Sequence, residues 1–124
     1  MAIPRLVTAI LGGPLGFYQL YLLRSRGTDR RASTVDLAVT SACEEFAQAV
    51  IAYCRHYSIS PDFPVELDDS ISHVYGIVSE DLADMVVRLC DQCAVSRPSA
   101  TDFRHARLET VRDMIEFIAR QPPL

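Results

Sequence analysis

From Leu6 to Leu23 the chain runs eighteen residues without a charged side chain, and the arginines Arg24, Arg26, Arg30 and Arg31 follow. A run of that length sits at the lower bound for crossing a bilayer. Gly12, Gly13, Pro14 and Gly16 weaken it as a soluble helix and are tolerated in a lipid-spanning one. Two expectations stay open: residues 6–23 contact a membrane, or they form a helix packed on the remainder. No small-residue cleavage site follows the run, which argues against a secretory leader. The positive-inside tendency would hold the arginines and everything after them in the cytoplasm, with any tether on the inner face of the membrane.

Beyond a polar linker at residues 28–34 the pattern turns helical. Between Val35 and Tyr57 the residues Phe46, Val50, Tyr53, Cys54 and Tyr57 recur at spacings of three and four, predicting one apolar stripe. The segment "SISPDFPVELDDS" breaks the pattern with Pro61, Pro64 and several acids, predicting a long loop. In "GIVSEDLADMVVRLCDQC" a second stripe comprises Leu82, Met85, Val86, Leu89, Cys90 and Cys93, while Glu80, Asp81, Asp84, Arg88 and Asp91 face outward. A loop with one short helical turn around Ser99 to His105 follows. The last helix is signalled by Thr110 as its cap, Asp113 three residues on, and Val111, Met114, Ile115 and Ile118 as its buried face. No segment alternates as a strand would. The expected fold is all-α: residues 1–27 form a hydrophobic N-terminal segment, and residues 35–121 a domain of three main helices and one short helix.

Composition fits one small globular domain of 124 residues. Lysine, asparagine and tryptophan are absent, so every basic side chain is arginine. Residues 1–33 hold five arginines against one aspartate, a net of +4, and residues 34–124 seven arginines against fifteen acids, a net of −8. An acidic body repels nucleic acid and suits partners with basic patches. Cys43, Cys54, Cys90 and Cys93 fall among apolar neighbours in expected helices, where reduced thiols behave as small hydrophobes. Cys90–Cys93 lies near a helix C-terminus, where the dipole disfavours thiolate. Cys43 and Cys54 stand about 16 Å apart along one helix axis, too far to share an ion.

Nothing points to an enzyme or a metal site. Ser79 is not in a nucleophile elbow. His56, His73 and His105 share no ligand or triad spacing and read as surface histidines. Glu66, Asp68 and Asp69 make an acidic loop cluster without the features of a calcium loop, expected to be solvated.

The order of elements (long helix, long loop, serine-led acidic helix, short turn, helix opening Thr-Val-x-Asp) resembles the acyl carrier proteins over roughly residues 41–120. "SISHVYG" supplies Ser70, Ile71, Tyr75 and Gly76 where the family's loop closes in a turn ending Leu-Gly. Two residues later stands Ser79, where the family bears its phosphopantetheine arm. "EDLADMVVRL" follows the family's acidic–apolar rhythm, and Thr110, Val111, Asp113 and Ile118 match its last helix. The attachment triplet departs from the usual Asp-Ser-Leu: here it is Val78-Ser79-Glu80.

The resemblance implies a bacterial-type lipid-metabolism carrier, not itself an enzyme, with 4′-phosphopantetheine on Ser79. Its partners would be a phosphopantetheinyl transferase and acyl-handling enzymes with basic patches, docking on Glu80, Asp81, Asp84 and Asp91. A cleft between helices would shelter the apolar chain. Two alternatives stand beside it: an unmodified interaction module with the carrier fold, and a membrane-tethered adaptor. At Ser79 the residues admit two roles, since serine is also a favoured helix N-cap, worth about 1 kcal/mol.

Overall fold

The computed structural model describes residues 13–26 and 44–124. Among them are six helices and no strand: α1 (Gly13–Arg26), α2 (Glu44–His56), α3 (Ile71–Tyr75), α4 (Ser79–Gln92), α5 (Ala100–His105) and α6 (Val111–Ala119). The all-α expectation holds. The first half of the expected 35–57 helix, with Cys43, lies outside the described residues, as do residues 6–12 and the 28–34 linker.

The core forms where α2, α4 and α6 pack pairwise against one another. From α4 come Met85, Val86, Leu89 and Cys90, and from α6 Val111, Met114, Ile115 and Ile118, all buried. On α2 the buried face is Ala47, Val50, Ile51 and Cys54, whereas Phe46 and Tyr53 are only partly covered and Tyr57 is 37 % exposed. The buried stripe is thus rotated from the one the large side chains predict, with Ala47 and Ile51 inward where Phe46 and Tyr53 were expected.

The 57–70 connection is long but anchored, because Phe63, Val65 and Leu67 turn inward and are buried. Its last residues are clasped to the start of α6: Arg112 N–H donates to the Leu67 carbonyl at 2.9 Å, Val111 N–H to the Asp69 carbonyl at 3.0 Å, and Ile71 N–H to the Glu109 carbonyl at 2.9 Å. α3, a single short helix, was not predicted; five residues are too few for a periodic signal. The final helix starts as expected, with a full capping box between Thr110 and Asp113.

α1 packs on α3. Its inward face carries Leu20, Leu22 and Leu23, all buried, together with the buried amide of Gln19. That amide donates to the carbonyls of Val74 at 2.8 Å and Tyr57 at 3.1 Å, so both hydrogens of the nitrogen buried inside the apolar run are used. No helix among the described residues is long and apolar enough to cross a membrane.

Candidate functional site

Ser79 stands at the start of α4, and the turn before it fixes where the helix begins. α3 ends at Gly76, whose φ of +70° lies in the left-handed region, and the Gly76 N–H closes back on the Ser72 carbonyl at 3.0 Å. A Cβ there would also come within 2.5 Å of the Leu15 side chain of α1, a second reason for glycine. Ile77 is then drawn into the core, 2 % exposed, with its N–H on the Ile71 carbonyl at 3.3 Å. With Ile77 anchored, Val78 takes the N-cap: its backbone is extended and its carbonyl accepts the first helical bond, from Leu82 N–H at 2.7 Å.

Ser79 is therefore the first residue of the helix and not its cap, which corrects the capping role offered by its residue type. Its side chain is exposed, and its hydroxyl makes no hydrogen bond with any described residue. The other short connections behave differently. Ser70 accepts from His73 N–H at 3.1 Å, Ser99 from Asp102 N–H at 3.1 Å, and Thr110 from Asp113 N–H at 3.2 Å. At α4 the work of a cap falls to Glu80 and Asp81, whose charges complement the positive end of the helix.

All four acids expected to dock partners are exposed on α4, but they are not equivalent. Asp84 pairs with Arg88 at 2.7 Å, one turn along the same helix. Asp91 is held in a bidentate pair by Arg97, at 2.7 and 3.0 Å, and those hydrogen bonds bring its carboxyl below the usual range. Glu80 and Asp81 make no ion pair among the described residues. The uncompensated negative charge is thus concentrated beside Ser79.

The acidic loop cluster is solvated as expected at Asp68 but not at Asp69. Asp69 is 5 % exposed and receives the Arg26 guanidinium in a bidentate pair at 2.5 and 2.8 Å, the Tyr75 hydroxyl at 2.6 Å and the Glu66 N–H at 3.0 Å. Burial, then the charge and hydrogen bond of Asp69, hold the Tyr75 phenol well above the ordinary tyrosine range. Arg26 also donates to the Pro64 carbonyl at 3.0 Å, and Tyr75 meets Phe63 edge-on with ring centroids 5.8 Å apart. This network ties the end of α1 to the loop and to α3, the element that leads to Ser79. Asp68 faces solvent, 3.4 Å from Arg112.

Among the described residues the cysteines and histidines bring no second site together. Cys54 and Cys90 are buried thiols, Cys93 is half-buried, and burial pushes the Cys54 thiol up to about 12. His56, His73 and His105 are exposed and distributed over three helices. A cleft of about 580 Å³ lies between the start of α2 and the end of α4, lined by Glu44, Glu45, Gln48, Ala49, Gln92 and Cys93. It sits at the far end of α4 from Ser79, roughly 20 Å away along the helix. Its two glutamates make it a poor shelter for an apolar chain.

The pairing of Asp69 with Tyr75 and Arg26 is not legible in the sequence because it spans distant segments; the one local hint is that Arg26 belongs to an arginine cluster after an apolar run. Comparison with family models, with curated proteins and with solved structures finds no match to this chain.

Proposed function

We propose that this chain is a carrier protein of the acyl-carrier type, bearing phosphopantetheine on Ser79 and presenting an acyl thioester to partner enzymes. One observation carries the reading: the Ser79 hydroxyl is exposed at the tip of an acidic helix and is committed to nothing in the described fold. A serine retained only to start the helix would have its oxygen on a backbone N–H. The element order supports the same reading, since an anchored loop, a left-handed glycine and an acidic helix lead to and from this residue.

A carrier asks little chemistry of its own chain. The transferase supplies the base that activates the hydroxyl, so Ser79 needs no basic neighbour, and the thiol of the arm holds the acyl group. The domain contributes a solvent-facing oxygen and a charged docking surface. Glu80 and Asp81, adjacent to Ser79 and without an ion pair among the described residues, are the strongest attraction for an arginine- or lysine-lined partner, while Asp84 and Asp91 must first release Arg88 and Arg97.

A second reading rests on Val78, which is 55 % exposed beside Ser79 where the family usually has aspartate. In that reading the same surface is an unmodified interaction module that grips an apolar partner. Co-expression of the full chain with a broad-specificity phosphopantetheinyl transferase separates the two. The carrier reading expects an intact mass increased by one arm, absent from Ser79→Ala. An unchanged mass in a folded chain favours the module.

A further inference from the structure

α1 carries large apolar side chains on both of its sides. Its inward side is used on the domain through Gln19, Leu20, Leu22, Leu23 and Arg26. Its outward side presents Phe17, Tyr18 and Tyr21, which are 50 %, 44 % and 65 % exposed, with Arg24 exposed one turn further on. Phe17, Tyr21 and Arg24 fall at i, i+4 and i+7, so they form one line along the helix, with Tyr18 beside it. Three large aromatic side chains on one helix surface are not what a fully solvated helix carries; such a patch marks a contact.

We infer that the outer face of α1, Phe17, Tyr18, Tyr21 and Arg24, docks on an anionic lipid bilayer. The aromatic rings and their phenol tips match the boundary between headgroups and acyl chains, where an apolar body and a polar end are both satisfied. Arg24 lies at the end of the stripe, where it meets lipid phosphate. The sign of charge selects the partner. In sequence, residues 1–33 carry a net of +4 and the remainder −8; on the described helix the exposed share of that positive charge is Arg24, because Arg26 is taken by Asp69. A protein surface able to accept the same face would have to be both apolar and acidic, and this chain's own acidic face on α4 offers charge without exposed rings. Interfacial helices normally keep a polar side toward water; here the domain covers that side instead, and Gln19 and Arg26 supply the polar anchors.

This inference stands apart from the chemistry of Ser79. Leu15 of α1 lies against Gly76, so a bilayer on α1 would lie close to the start of α4, but lipid binding itself needs no arm.

The test is co-sedimentation of the full chain with vesicles of phosphatidylcholine alone and with added phosphatidylglycerol. The chain is expected to bind the anionic vesicles more strongly and to be partly released by salt. Replacing Phe17, Tyr18 and Tyr21 together by serine should lower partitioning about tenfold or more, with circular dichroism unchanged because all three are exposed. Arg24→Glu should abolish most of the preference for anionic lipid, and Ser79→Ala should bind as the parent does. Absence of binding to either vesicle overturns the inference. So does a triple variant that binds as well as the parent, or sedimentation equilibrium in which the same variant converts a dimer to a monomer.

Discussion

Four helices of this domain have a hydroxyl residue at their start, and at α4 alone the hydroxyl bonds to none of the described residues; α6 and α4 make the sharpest contrast. At α6 the Thr110 oxygen takes the Asp113 N–H at 3.2 Å, and the Asp113 carboxylate returns to the Thr110 N–H at 3.1 Å. The backbone there is also clasped to residues 67–71, so the start of α6 is held from two sides. At α4 the start is set by buried Ile77 and left-handed Gly76, Val78 serves as N-cap, and the Ser79 hydroxyl bonds to none of the described residues. The contrast separates residues that build the scaffold from one the scaffold displays.

The largest effect should come from the network beneath both starts. Arg26→Met leaves the Asp69 carboxylate buried without its cation, which costs about 3 kcal/mol and should loosen α1; denaturant unfolding and hydrogen exchange over residues 15–26 read both. The same region controls alkaline stability. The folded state keeps protons on Cys54, pushed up to about 12 from an ordinary 9.0, and on Tyr75, whose phenol is raised by burial and Asp69. The unfolded chain releases those protons earlier, so their contribution to stability should be level below pH 9 and be lost from there toward 12. Tyr75→Phe should flatten part of that slope, and Ser79→Ala should leave it unchanged.

Gly76→Ala forces a side chain into left-handed backbone and against Leu15, at a cost of about 1–2 kcal/mol, measurable as a lower unfolding midpoint. The comparison itself is tested by a pair of truncations. Thr110→Ala should cost about 1 kcal/mol, whereas Ser79→Ala should stay within about 0.5 kcal/mol of the parent. Equal losses at the two positions would mean that Ser79 is structural after all.

The contrast also marks what the sequence could reveal. The Thr110 cap with Asp113, the Gly76 turn, the short helix around Ser99 to His105 and the outward acids of α4 were legible because each depends on neighbours within a few residues. Ser79 was legible as a position but not as a state. Residue preference made it a cap, and only the burial of Ile77 moves that role to Val78. Asp69 read as a loop acid because its partners, Arg26 and Tyr75, come from separate helices. Gln19 was similarly hidden: a lone amide in an apolar run gives no sign that Val74 and Tyr57 will meet it. Local chemistry was readable, whereas long-range pairing of polar groups required the fold.

The account rests on an idle hydroxyl at residue 79 being the attachment point of an arm. Peptide mapping of the full chain after reaction with a broad-specificity phosphopantetheinyl transferase addresses this directly. The account predicts one modified peptide, the one containing Ser79, and none in Ser79→Ala. An unmodified Ser79 peptide from folded protein, or an arm found on another serine, would contradict it.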